Sequence, residues 1–124
     1  MTVHLDTSAL IDALTGPRRS LKQLRALVTD GHRVGLSTIA LYEWLRGPRV
    51  RAELSAQEDV FPREATVAFT AAEASLAASL YGRVAKPRGR EIDLAIAACA
   101  LSHDAALWTL NAGDFDDIPG LKLI

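Results

Sequence analysis

Four acidic residues stand at positions from which side chains could hold a metal ion. Asp6 follows the apolar run "TVHL", Glu43 lies within "IALYEWL", Asp93 is near the start of "EIDLAIAACAL", and Asp114 belongs to "TLNAGDF". Carboxylate oxygens are the ligands that Mg²⁺ and Mn²⁺ prefer. A bound ion of this kind can lower the pKa of a water molecule and so assist hydrolysis. No zinc site is indicated, because the three histidines are isolated from one another.

Each acid also has an ordinary structural explanation when taken alone. The ordinary roles are a helix cap for Asp6, a helix surface for Glu43, a first-turn position for Asp93 and a turn beside glycine for Asp114. Asp116 and Asp117, which follow closely, are more easily interpreted as solvated loop residues. A functional interpretation therefore depends on whether the four acids meet in space.

The elements that must position these acids alternate along the chain. Strands are predicted in "TVHLD", "RVGLS", "ATVAF", "AALWTL" and "LKLI", of which "ATVAF" has the weakest pattern. Helices are predicted in "SALIDAL", "RRSLKQLRALVTDG", "TIALYEWLRG", "RVRAELSAQ", "AAEASLAASLYGRV" and "EIDLAIAACALSH". Pro17 suits a first helical position, Gly31 a helix end, and Thr70 with Glu73 a capping box.

Strands separated by helices imply a parallel sheet covered on both faces. The predicted fold class is therefore α/β: a three-layer α/β/α domain with a central, mostly parallel sheet of about five strands. One domain spanning residues 1–124 accounts for the length. Ligands bind such sheets beyond the carboxyl ends of the strands, where the strand order reverses. Asp6, Asn111 and Asp114 should lie at that edge.

Composition narrows the class of protein without fixing it. The single cysteine, in "AIAACAL", is expected to be reduced and buried, which favours a cytoplasmic location. No apolar stretch approaches the roughly 20 residues that span a bilayer. The net charge is −1, but basic residues are grouped in three segments: Arg18, Arg19, Lys22 and Arg25; Arg46, Arg49 and Arg51; Arg83, Lys86, Arg88 and Arg90. Phosphate contacts and solvated helix faces both remain open for these groups.

Taken in order, the segments "LDTSALID", "TIALYEWLRG", "REIDLAIAACAL" and "TLNAGDFDDIPGL" resemble the successive motifs of PIN-domain ribonucleases, in particular the VapC-type toxins of bacterial toxin–antitoxin pairs. The resemblance covers nearly the whole chain. It implies an acidic cluster and neighbouring polar residues. The implied cluster is Asp6, Glu43, Asp93 and Asp114, with Thr7, Ser8 and Thr109 beside it and Asn111 further out. The usual family pattern leaves Asp116 outside the site.

The resemblance also implies an activity and partners. The expected function is a ribonuclease toxin that depends on Mg²⁺ or Mn²⁺, uses water as the nucleophile and leaves 5′-phosphate and 3′-hydroxyl ends. A homodimer neutralised by a VapB-like antitoxin is expected, with the leucine-rich helices offering surface to cover. Trp44 or Tyr81 could stack on an unpaired base of the RNA substrate, although core packing is the favoured role for Trp44.

Two alternatives come from other classes of protein. A receiver-type signalling domain would need a pair of acids early, a phosphoacceptor after the third strand and a lysine near the end. None of these is present, because Lys122 falls inside the last predicted strand. A catalytically inactive PIN-like module that only binds protein is the second alternative. The presence of all four acids argues against it.

Overall fold

The computed structural model describes residues 1–124 as six helices around a small parallel sheet. The strands are β1 (Thr2–Leu5), β2 (Arg33–Gly35) and β3 (Ala106–Trp108). The helices are α1 (Thr7–Leu14), α2 (Leu21–Thr29), α3 (Thr38–Arg46), α4 (Arg51–Val60), α5 (Ala71–Arg83) and α6 (Glu91–Ser102). Two short 3₁₀ turns, Arg63–Ala65 and Ala112–Asp114, complete the elements.

β1 is the central strand, and both faces of the sheet are covered. The strand order is β2-β1-β3, with parallel pairing on both sides; Val3 is in register with Val34 and with Ala106. Successive side chains of a strand point to opposite faces, and Val3, His4 and Leu5 are all buried. Helices therefore pack on both sides of β1, which confirms the predicted α/β class and places the sheet in the middle layer.

The prediction of about five full strands was too high: three are regular strands, and the other two segments contribute one bridge each. Val67 pairs in parallel with Ser37, and Leu123 pairs in parallel with Leu107. The "ATVAF" segment stops pairing early because its neighbour turns into α3 at Thr38. There the Thr38 hydroxyl, not a strand carbonyl, accepts the N–H of Phe69 at 3.1 Å. The two bridges still extend the sheet on either side in the expected parallel sense.

The predicted helices are all present, but α2 and α4 start later than predicted, at Leu21 and Arg51. Pro17 and the residues after it form turns, and α2 begins only at Leu21. Gly31 follows the end of α2 with φ of +84°, the left-handed conformation that glycine adopts at low cost. Cys99 is a buried free thiol, and burial is the main reason that its pKa rises to about 11. None of the helices is both long and apolar enough to cross a membrane.

The start of α5 makes a testable contribution to acid stability. The Glu73 carboxylate accepts the hydroxyl and the backbone N–H of Thr70, and these hydrogen bonds lower its pKa to about 2. We expect Glu73→Gln to reduce the free energy of unfolding at pH 7. The deficit should persist down to about pH 4.5, the ordinary pKa of a glutamate, and then close toward pH 2. The reason is that the hydrogen bonds to the ionised carboxylate exist only in the folded state, and protonation removes their contribution.

Urea unfolding of both proteins at several pH values measures this deficit. Glu64→Gln is the matched control, because Glu64 is exposed and accepts no hydrogen bond in the structure. A deficit for Glu73→Gln that stays constant from pH 7 to pH 2.5 would show that Glu73 does not act through its charge.

Candidate active site

The strand order reverses at the carboxyl end of β1, and Asp6 is the first residue beyond it. From β1 the chain passes to β2 on one side and later to β3 on the other, so this end of β1 is the switch point at which parallel sheets bind ligands. The backbone N–H of Asp6 donates to the carbonyl of Trp108 at 2.8 Å, which joins the ends of β1 and β3. Asp6 is only 4% exposed.

The side chain of Asp6 does not cap the helix at whose start it lies. Its backbone occupies the N-cap position of α1, but its carboxylate accepts no hydrogen bond from the first turn of backbone N–H groups. Instead Oδ2 accepts the hydroxyls of Ser8 and Thr109, each at 2.8 Å. The simple capping explanation is therefore wrong for the Asp6 side chain, whose Oδ1 accepts no hydrogen bond from the protein.

The two hydroxyls that orient Asp6 also bind the loop after β3. Ser8 Oγ accepts the N–H of Leu110 at 3.0 Å, and Thr109 Oγ1 accepts the N–H of Asn111 at 3.0 Å. Since each hydroxyl has one proton and gives it to Asp6, their lone pairs remain for these backbone donors. The polar residues that the sequence placed beside the acids thus connect α1 to the last motif. The exposed side chain of Asn111 takes no part in this network.

Glu43 reaches the same edge from α3. Its Oε1 accepts the hydroxyl of Thr7 at 2.7 Å, across the contact between α1 and α3. Its Oε2 lies 3.3 Å from Nη2 of Arg46, one turn further along the helix. Arg46 is largely exposed, so this ion pair stabilises the fold little. A freely solvated surface role does not describe Glu43, because a buried threonine holds its carboxylate.

Asp93 is half-buried in the first turn of α6 and accepts no hydrogen bond from the protein. The pKa of Asp93 is raised to about 6, and burial is the largest cause. The negative charges of Asp6, Asp114 and Glu43, in that order, raise it further, and Arg90 opposes them. Asp6, Glu43 and Asp114 are therefore each close enough to Asp93 to act on it electrostatically, although the four acids come from four distant parts of the chain.

Asp114 completes the group at its exposed side. It ends the 3₁₀ turn Ala112–Asp114, and the next residue, Phe115, is buried in the core and anchors this loop. Asp116 is also exposed and is not among the charges that raise the pKa of Asp93. The exclusion of Asp116 from the site stays a prediction.

A divalent cation suits this donor set. The site presents carboxylate oxygens with neutral hydroxyls behind them, and the mutual repulsion of the acids would be relieved by positive charge. No three acidic, histidine or cysteine side chains lie close enough together to form a complete metal-binding group by themselves. Mg²⁺ does not require one, since it commonly binds through one or two carboxylates and keeps several water ligands.

Aromatic and basic residues near the site differ in part from expectation. Trp44 is fully buried, so stacking on a base is excluded for it and its favoured role in the core is confirmed. Tyr81 is exposed, on α5. Sequence reasoning missed Tyr42, which precedes Glu43, is 54% exposed and lies under the guanidinium of Arg46 at 5.3 Å. Arg49, for which phosphate contact and a solvated helix face were both open, stacks on the ring of Trp44 at 4.3 Å and so has a structural role.

Sequence comparison now decides the family, because residues 3–121 match the PIN domain. The chain belongs to the PIN domain family. It is 32% identical to ribonuclease VapC19 of Mycobacterium tuberculosis, over 95% of each chain. The resemblance to VapC-type PIN domains that the motifs indicated is thereby confirmed.

Solved structures of related complexes have the same fold. A DNA-bound VapBC complex from Salmonella typhimurium contains a chain 22% identical to this PIN domain, with a TM-score of 0.76 over 100% of this chain and 97% of that one. The VapBC-5 toxin–antitoxin complex of Mycobacterium tuberculosis contains one that is 26% identical, with a TM-score of 0.69 over 99% and 97%. These matches extend over the whole PIN domain.

Proposed function

We propose that this PIN domain is a VapC-type endoribonuclease toxin that depends on Mg²⁺ or Mn²⁺ and is neutralised by a cognate VapB-like antitoxin. The observation that supports the proposal is that the charges of Asp6, Asp114 and Glu43 all act on the half-buried Asp93, with Asp6 at the switch point of the sheet. The name of the 32% identical relative, a ribonuclease, supports the reaction. The VapBC complexes among the structural relatives support the antitoxin.

One or two of the four acids would bind the cation directly, the others would add negative charge around it, and each neighbouring residue has a separate task. Bound Mg²⁺ or Mn²⁺ would supply Lewis-acid stabilisation of the phosphodiester transition state and a lowered pKa for the attacking water. Ser8 and Thr109 occupy Oδ2 of Asp6 and leave Oδ1 for a ligand. Thr7 similarly fixes Oε1 of Glu43 and leaves Oε2 to a weak contact with Arg46. These fixed carboxylates need no rearrangement before they bind charge.

RNA would approach over the exposed side of the cluster. Arg46 lies there with its guanidinium only loosely paired, so it can exchange Glu43 for a phosphate of the substrate. Tyr42 beside it offers an exposed ring on which an unpaired base can stack. We infer the specificity for RNA from the ribonuclease relative, because a carboxylate-bound metal could assist hydrolysis of RNA or of DNA.

The antitoxin and a second copy of the chain would cover apolar surface on the helices. A groove of about 600 Å³ runs between α2 and α4, with Leu21, Val28 and Val60 among its lining residues and Arg18 and Arg25 at its edge. Tyr42 and Leu45 on α3 form another exposed apolar area. Light scattering of the purified chain tests the homodimer, and a monomeric mass would contradict it.

We also propose a cytoplasmic location, which the free, buried thiol of Cys99 supports.

Incubation of the purified chain with an RNA pool tests the enzymatic part. We expect fragments in Mg²⁺ or Mn²⁺ and none in EDTA, and no cleavage of DNA of the same sequence. Intact RNA under every condition would favour the inactive, protein-binding alternative. Recovery of fragments at full rate in EDTA would contradict the role of the metal.

A further inference from the structure

Arg90 joins the two elements that carry Asp93 and Asp114. It occupies the N-cap position of α6, three residues before Asp93, and its backbone carbonyl accepts the N–H of Leu94 at 2.9 Å. Its side chain extends across to the loop after β3. There Nη2 donates to the backbone carbonyl of Asp114 at 2.9 Å.

The same guanidinium forms a two-pronged ion pair with Asp117. Nη2 lies 2.6 Å from Oδ1 and Nη1 lies 3.0 Å from Oδ2, the parallel arrangement in which arginine recognises a carboxylate most specifically. The Arg90 side chain is mostly buried by these contacts, whereas Asp117 is partly exposed. Asp117 is an exposed loop residue, as the sequence predicted, but its carboxylate is paired with Arg90 and is not free in solvent.

The pair fixes the loop from the side opposite its apolar anchors. Phe115 and Ile118 are buried in the core, so the backbone between them is held below, while Arg90 holds the Asp114 carbonyl and the Asp117 side chain. With four attachments in the five residues from Asp114 to Ile118, the backbone that carries the Asp114 side chain is closely held.

We propose that Arg90 and Asp117 act as a clamp that positions Asp114 relative to Asp93 for cation binding. The inference rests on the proposed function of the acidic cluster and assigns it two positioning residues. Because Asp117 occupies both prongs of Arg90, the clamp also keeps this positive charge from pairing with Asp93 or Asp114 directly. Arg90 still weakens the negative potential at Asp93, but neither carboxylate forms a direct ion pair with it, so both stay open to the metal.

The clamp is distinguished from an inert surface ion pair by Asp117→Asn. Asp117 is the partly exposed partner and asparagine keeps an oxygen that can accept from Arg90, so the melting temperature in EDTA should fall only slightly below that of the parent. Loss of a group that orients metal ligands typically costs about 10- to 100-fold in metal affinity or activity. We expect kcat for RNA cleavage to fall by about tenfold or more, with KM nearly unchanged, and half-maximal activity to require more Mg²⁺.

Asp116→Asn is the matched control. Asp116 is adjacent to Asp117 and carries the same charge, but its exposed side chain makes no hydrogen bond or ion pair in the structure. Arg90→Lys keeps the charge but loses the fork, and it should resemble Asp117→Asn. The double variant Arg90→Lys, Asp117→Asn should be no worse than the more impaired single variant, because both changes release the same loop. Parent-like cleavage and Mg²⁺ response by Asp117→Asn, as by Asp116→Asn, would overturn the clamp.

Two further outcomes separate the clamp from direct RNA binding by Arg90 and from failure of the proposed function. If Arg90→Lys mainly raises KM and Asp117→Asn changes nothing, Arg90 contacts RNA and does not act through the loop. If the parent cleaves no RNA at all, the proposed function fails, but the clamp is still tested by the rise in melting temperature that Mg²⁺ produces. A smaller rise for Asp117→Asn than for Asp116→Asn supports the clamp, and equal rises overturn it.

Discussion

Asp93→Asn is expected to lower RNA cleavage by orders of magnitude while leaving the metal-free protein at least as stable as the parent. The substitution keeps the shape of a side chain that accepts no hydrogen bond from the protein and removes a charge that burial and three neighbouring acids disfavour. Its pKa is raised from 3.8 to about 6, so the parent loses stability as the pH rises between these two values. In EDTA the gain in stability of the variant should reach its full size above about pH 6 and should vanish below about pH 3.8, where the carboxyl is protonated in both states.

Magnesium should reverse the order of stability. A ligand at a hundredfold excess over its dissociation constant stabilises the folded state by about 2.7 kcal/mol, and the variant should gain much less. Thermal melts of both proteins in EDTA and then in Mg²⁺ measure the two effects. An Asp93→Asn protein that is less stable in EDTA and responds to Mg²⁺ like the parent would identify Asp93 as a structural first-turn residue.

The second large effect is expected from the core residue behind the site. Phe115 is fully buried and directly follows Asp114, so Phe115→Ala should leave a cavity under this loop. Such substitutions cost about 3–5 kcal/mol. For a domain of this size, that loss lowers the melting temperature by roughly 10 °C or more.

Urea unfolding in EDTA measures this loss without any contribution from bound metal. Leu110→Ala is the control, because Leu110 lies in the same loop and is half exposed, so its replacement should cost less than about 0.5 kcal/mol. Equal unfolding midpoints for the two variants would show that Phe115 does not anchor the loop.

The sequence was sufficient to place the four acids on their elements because local signals mark the ends of those elements. An apolar strand ends at Leu5, and glycine or proline breaks follow most helices, so the order of strands and helices could be predicted. The parallel topology then follows from that alternation. It brings the residues after β1 and β3 to one edge of the sheet, where Asp6 and Asp114 are found.

The contacts made by these acids depend on partners that are distant in sequence, and no local pattern predicts them. The capping explanation for Asp6 failed because Thr109, which binds its carboxylate, lies 103 residues away. The Arg90 and Asp117 pair spans 27 residues in the same way. The weak "ATVAF" pattern could not show that Thr38 would end the pairing of that segment. In each case the local sequence allows more than one conformation or contact, and a partner distant in sequence determines which one forms.

The most direct test of the central claim is the initial rate of Mg²⁺-dependent RNA cleavage by four single variants and one control. We expect Asp6→Asn, Glu43→Gln, Asp93→Asn and Asp114→Asn each to cleave orders of magnitude more slowly than the parent, with melting temperatures that show them to be folded. Asp116→Asn, which removes the same charge beside the cluster, should cleave at the parental rate. Parental cleavage by any of the four would remove that acid from the site, and parental cleavage by all four would contradict the account.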